Sequence, residues 1–183
     1  MINKTDRATI KDITPLFSEK EIKIKVEEIS NSINNSYNDC KELVVLVVMK
    51  GAFLFASDLI RSINIPVVLD FIELSSYGSN RVSSGVVTLK NSPQTNFKDR
   101  DILIIEDIVE TGHTLNYLLD LLRPHNPKSI KIAAIINKCI EGRKVKPDFY
   151  GFEVEDQFLV GYGLDINEKF RNLPFIGYLN SHI

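Results

Sequence analysis

Apolar and polar positions along this chain recur with two periods, and the switches between them predict alternating helices and strands. In SEKEIKIKVEEISNSINNSY, residues Ile22, Val26, Ile29 and Ile33 fall at helical spacing. Ser18 followed by Glu21 gives that helix a capping-box start. LVVLVV (43–48) has no polar interruption, which suits a strand buried on both faces. AFLFASDLIRSI (52–63) predicts a helix and PVVLDFIEL (66–74) the next strand. After a polar stretch, VVTL (86–89) and DILIIE (101–106) read as strands, HTLNYLLDLLR (113–123) as a helix and SIKIAAIIN (129–137) as a strand. Buried strands alternating with amphipathic helices imply an α/β fold with a mainly parallel sheet covered on both faces. Ligands of such folds gather at the carboxyl ends of the strands. That rule singles out MKGA (49–52), EDIVETGHT (106–114) and NKCIEGRK (137–144).

Composition narrows the picture by exclusion. A length of 183 residues suits one domain with a substantial core, and 44% hydrophobic with 25% charged residues is ordinary for a globular protein. The 22 basic and 24 acidic side chains leave a net charge of −2, so overall charge provides no attraction to nucleic acid or an anionic membrane. The longest apolar run, LVVLVVM (43–49), is far too short to span a bilayer, and MINKTDRATIKD lacks the apolar core of a secretory signal. Cys40 and Cys139 lie far apart without CxxC spacing, which argues against a zinc site or a disulfide framework. A reducing cytoplasm is the expected setting.

DILIIEDIVETGHTLNYLLDLLR carries the most chemistry: a strand, a loop and a helix in immediate succession. Thr111, Gly112 and Thr114 stand where the helix begins, and free backbone N–H groups there make an anion site. The GxxxxGK[ST] spacing of a P-loop is absent. Carboxylates repel phosphate, so Glu106, Asp107 and Glu110 beside this loop need a reason. They can accept hydrogen bonds from a sugar's hydroxyls, or face a magnesium ion shared with the phosphates. The plainer alternative is a first helical turn enriched in acids that suit the helix dipole.

IIEDIVETGHTL resembles the signature of the purine phosphoribosyltransferases. MKGA with FLFASDLIR, SSYG…SSG, KPDFYGFEV and FLVGYGLD…EKFRNLP follow in the order found in hypoxanthine-guanine phosphoribosyltransferases, over residues 40–180. The resemblance implies a type I phosphoribosyltransferase fold, a mainly parallel twisted sheet flanked by helices with a small hood from about 138–183. It implies transfer of 5-phosphoribosyl from phosphoribosyl pyrophosphate (PRPP) to hypoxanthine or guanine, with Mg²⁺. Glu106 and Asp107 would hold the ribose hydroxyls, directly or through a Mg²⁺-bound water, and Thr111, Gly112, His113 and Thr114 the 5′-phosphate. Backbone N–H groups around Lys50 and Gly51 would meet the pyrophosphate, with a cis peptide just before Lys50. Asp165 would be a further Mg²⁺ ligand, and Arg171 a pyrophosphate contact. Lys138 would donate to the purine O6, Phe158 would stack on the ring, and Leu159 would offer backbone groups to the base edge. From the sequence alone, Phe158 reads more simply as core.

SSYGSNRVSSGVV (75–87) is polar and aperiodic, and reads as a mobile loop or a surface hairpin. By resemblance it closes over the site, with Ser76 and Tyr77 as the lid. Assembly into a homodimer or homotetramer is implied by resemblance alone. The chain departs from the family at Glu110, where an aspartate normally exchanges a proton with the purine N7. The added methylene moves that carboxyl by about a bond length, and displacements of ~1 Å matter in catalysis. Other readings are a regulator that binds PRPP without catalysis, and a transferase for xanthine or a pyrimidine. The first lacks a helix-turn-helix and a basic surplus.

Overall fold

The computed structural model describes residues 9–76 and 87–179. A 3-10 turn at Ile10–Asp12 leads into β1 (Ile13–Phe17), followed by α1 (Glu19–Ser36), β2 (Leu43–Met49), α2 (Phe53–Ile60), β3 (Val67–Ser76) and β4 (Val87–Asn91). Then come β5 (Asp101–Val109), α3 (His113–Leu122), β6 (Ser129–Lys138), β7 (Phe149–Val154), β8 (Leu159–Val160) and β9 (Ile176–Leu179). The main sheet runs β4-β3-β2-β5-β6-β7, parallel throughout except for β4, which pairs antiparallel with β3 at one edge. A separate antiparallel sheet runs β1-β9-β8.

The uninterrupted apolar strands are what this arrangement requires. Leu43, Val45 and Val47 pack with Ile22, Val26, Ile29, Phe55 and Leu59 of α1 and α2. Val44, Leu46 and Val48 face the other way, toward Leu115, Leu118 and Leu122 of α3. Strand β2 is thus buried from both sides, as its sequence requires. Ser18 caps α1 by accepting from Glu21 N while the Glu21 carboxylate accepts from Ser18 N at 2.8 Å, as the capping-box pattern predicts.

Four features differ from the sequence reading, and one is β7, an edge strand whose mostly half-exposed residues give no apolar run to read as a strand. The helix expected over 52–63 ends at Ile60, because Ser62 N and Ile63 N turn back to Leu59 O and Ile60 O in tighter i→i+3 bonds. Strand β5 continues three residues past Glu106, since Glu106, Ile108 and Val109 still pair with β6. The small sheet was not foreseen: β1 carries Pro15 and pairs with β9 from the far end of the chain. No helix is long and apolar enough to cross a membrane among the described residues.

Candidate active site

The carboxyl ends of β2 and β5 open onto one cavity of about 580 Å³. Its lining includes Gly51, Glu106, Asp107, Glu110, Thr111, Gly112, His113, Thr114, Asp165 and Arg171. Parallel strands place these residues together, because their carboxyl ends all lie at the same edge of the sheet.

Glu106 is buried and Asp107 half-buried at the end of β5. Burial, and then the neighbouring Asp107 charge, push the Glu106 carboxyl well above its ordinary range. Burial likewise raises Asp107, although Ile108 N donates to its Oδ1 at 2.9 Å. Two carboxylates so placed repel one another, and a cation or donor beside them would relieve that repulsion. Space for Asp107 comes from Gly51, where a Cβ would overlap that carboxylate. In turn, a Cβ on Gly163 would overlap the Gly51 carbonyl. The Met49–Lys50 peptide is cis, as the resemblance implies.

Past the acids, Gly112 takes a left-handed φ of 74° at the start of α3. A Cβ there would also stand 2.7 Å from Val145 N. The 139–146 segment packs directly on this loop, with Lys144 N donating to Thr111 O at 3.0 Å. Thr111 and His113 are exposed at the helix start and Thr114 is half-buried, so the backbone N–H groups of this turn are open to an anion.

Lys138 ends β6 and is buried, its side chain 5% exposed. A buried ammonium needs partners, and it has two: Glu110 and, at 3.1 Å, Asp156. Arg143 reaches back to the Asn137 side chain and donates to Lys138 O at 3.0 Å, anchoring the segment that follows. On the opposite side, Arg171 pairs with Asp165 at 2.8 Å and with Glu168 at 3.1 Å, and donates to Gly163 O at 2.8 Å. Glu168 also pairs with Lys50 at 3.3 Å, and the hydrogen bonds from Arg171 and Lys50 hold its carboxyl below the ordinary range.

The cavity therefore brings together the acid pair, the phosphate loop and, of the pyrophosphate side, Gly51, Asp165 and Arg171; Lys50 does not line it and is tied to Arg171 through Glu168. Lys138 joins them through Glu110. Phe158 is 58% exposed, so the plain core reading of this ring does not hold, while its neighbour Leu159 is buried. Neither lines the cavity, and they adjoin it only through Asp156 two residues earlier. Ser76 ends β3; Tyr77 and the rest of the expected lid lie outside the described residues. Sequence reasoning passed over Glu168 and Asp156. The signal for Glu168 was an acid three residues before Arg171; exposed Asp156 offered none.

A family profile described as "Phosphoribosyl transferase domain" matches residues 13–167. The hypoxanthine-guanine phosphoribosyltransferase of Bacillus subtilis (strain 168) is 48% identical over 166 residues, covering 90% of this chain and 91% of the relative. The chain belongs to the phosphoribosyltransferase family. Within it, the enzyme of the same name from Dictyostelium discoideum is 44% identical over 90% of this chain and 93% of its own length. Among solved structures, a hypoxanthine-guanine phosphoribosyltransferase from Bacillus anthracis superposes with a TM-score of 0.84 at 40% identity, covering 91% of this chain and 98% of that one. A hypoxanthine phosphoribosyltransferase from Staphylococcus aureus superposes at 0.87 and 33% identity, covering 98% and 97%. The fold is that of these phosphoribosyltransferases, and the acid pair, the Thr111–Thr114 loop and Lys138 all lie within the family match.

Proposed function

We propose that this chain is a purine salvage enzyme that transfers 5-phosphoribosyl from PRPP to hypoxanthine or guanine, giving IMP or GMP and pyrophosphate. One observation carries the reading: an acid pair, an open helix start and a buried Lys138–Glu110 ion pair meet around a single cavity. Each answers one part of the substrates. Glu106 and Asp107 accept from the ribose hydroxyls, and the backbone N–H groups and hydroxyls of 111–114 hold the 5′-phosphate. Lys50, Gly51 and Arg171 receive the pyrophosphate.

In the reaction the bond from the ribose anomeric carbon to pyrophosphate breaks as the purine N9 bonds to that carbon. An oxocarbenium-like transition state results, of the kind seen in glycoside cleavage. Lys138 passes from Glu110 to the purine O6, which frees Glu110 to take the N7 proton. An exocyclic amino group in place of O6 would leave the buried ammonium facing a donor, so adenine is rejected. Phe158 stacks on the ring and Leu159 offers backbone groups to the base edge. Ser76 and Tyr77 on the 75–87 loop exclude water, and residues 138–183 form the hood over the base.

The donor set suits Mg²⁺. Among the described residues no three or more His, Cys, Asp or Glu are grouped to hold a metal, and Mg²⁺ needs only one or two carboxylates beside substrate oxygens. Asp165 would hold it on the pyrophosphate side and Glu106 and Asp107 on the ribose side. Bound there, it neutralises charge on the leaving pyrophosphate. Its charge there would relieve the repulsion between Glu106 and Asp107. A cytoplasmic homodimer or homotetramer is the assembly this reading carries, with no nucleic-acid or membrane partner. Lys138→Gln tests the purine side: kcat/KM for hypoxanthine should fall by ~10²-fold or more relative to adenine. An unchanged preference between the two bases would contradict the role given to Lys138.

A further inference from the structure

Glu168 joins two cations from distant parts of the chain, Lys50, 118 residues before it, and Arg171, three residues after it. Its Oε1 accepts from Lys50 Nζ at 3.3 Å and its Oε2 from Arg171 Nη2 at 3.1 Å. Both residues are given to pyrophosphate above, so the inference rests on that reading. A further donor of the same guanidinium, Arg171 Nε–H, is buried without an acceptor among the described residues. The loop that presents Glu168 is costly to hold. Asn167, Glu168 and Phe170 have φ of 53°, 62° and 73°, in the left-handed region that non-glycine residues avoid. Glu168 N donates to Asp165 Oδ2 at 2.8 Å, which fixes the turn. The ion pairs themselves do not account for the strain. Glu168 and Lys50 are 64% and 53% exposed, and exposed pairs contribute little to stability. Strained backbone of this kind gathers at ligand clamps and switch points.

We propose that Glu168 is the internal anion of the pyrophosphate subsite. Its carboxylate neutralises Lys50 and Arg171 when pyrophosphate is absent, swings out when PRPP or pyrophosphate binds, and returns as pyrophosphate leaves. No bond to carbon or phosphorus changes: one anion replaces another on the same two cations. Glu168 therefore lowers affinity for the leaving group and hastens its release; its partners are Lys50, Arg171 and Asp165, none of them given to the purine.

The test is calorimetric titration of inorganic pyrophosphate with Mg²⁺ into the full chain. In Glu168→Gln the Kd should fall about fivefold, the change that two competing exposed ion pairs would suppress. KM for PRPP should fall with it, and KM for hypoxanthine should stay constant. Glu168→Gly removes the carboxylate from a backbone that glycine accepts without strain, so it should tighten binding too and melt no lower than the parent chain. In a Lys50→Gln background the tightening from Glu168→Gln should shrink, as a shared contact requires. A Kd that is unchanged or weaker in Glu168→Gln and Glu168→Gly overturns the proposal. So does a tightening undiminished by Lys50→Gln, which would mark a general effect of charge. If Lys50→Gln and Arg171→Gln bind pyrophosphate as the parent chain does, the assignment of the subsite itself falls.

Discussion

Glu110 is the residue on which the chemistry turns. It lies at the cavity wall, half exposed, with its carboxylate on the buried Lys138. In the proposed reaction this carboxylate takes the N7 proton of the base. Glu110→Gln keeps the shape but cannot take a proton, so kcat should fall by ~10²–10⁴-fold while the Kd for PRPP is preserved. An unchanged kcat would remove Glu110 from proton transfer. The acid pair makes a second prediction at this scale. Glu106 keeps a proton in the folded chain that an unfolded chain, with the ordinary value of 4.5, has released. A raised folded value means the contribution to stability falls as pH rises above about 4.5 toward that value. Glu106→Gln removes this burden. Its melting temperature should exceed that of the parent chain by an amount that grows as pH rises above about 4.5, with turnover lost. A difference that does not change with pH would contradict the buried-pair account.

At the scale of elements, what the sequence revealed depended on how local each signal was. Helix α1 was legible down to its cap because Ser18 and Glu21 are three residues apart and their bonds are local. Ser18→Ala should cost about 1 kcal/mol, lowering Tm by roughly 2–4 °C without touching kcat. The central strands of the main sheet were legible because burial on both faces leaves an apolar run, whereas β7, an edge strand that is mostly half-exposed, was not. Strands β1, β8 and β9 were not: β8 has two residues, Pro15 and Gly177 interrupt β1 and β9, and β1 pairs with β9 across most of the chain. The phosphate loop was legible as small residues before a helix, but not the reason Gly112 must be glycine. That reason is the left-handed φ together with Val145 pressing from the 139–146 segment. Gly112→Ala should destabilise by about 1–2 kcal/mol from the backbone alone and raise KM for PRPP. Gly51 likewise makes room for Asp107, a contact between strands that no local pattern announces. Glu168 and Asp156 escaped notice for the same reason. Their partners Lys50 and Lys138 lie elsewhere in the chain, and exposed acids in loops have no period.

For the whole molecule, the parallel sheet explains why distant segments act together. The ends of β2, β5 and β6 share one edge, so Gly51, Glu106 through Glu110, and Lys138 converge without any of them being near in sequence. The C-terminal stretch adds Asp165 and Arg171 from the region that leads into the small sheet. The site is consequently complete only in the folded chain, and its ligand should stabilise the whole fold. PRPP with Mg²⁺ at about a hundred times its Kd should add ~2.7 kcal/mol. That corresponds to roughly 5–10 °C in Tm for a chain of this size. A shift as large with PRPP alone as with PRPP and Mg²⁺ would contradict the shared metal site. The most direct measurement is turnover of the purified chain with Mg²⁺, PRPP and each of hypoxanthine, guanine, xanthine and adenine, followed by ultraviolet absorbance. The account predicts IMP from hypoxanthine and GMP from guanine, each with one equivalent of pyrophosphate, and no product from adenine. No nucleotide from any of the four bases would contradict it.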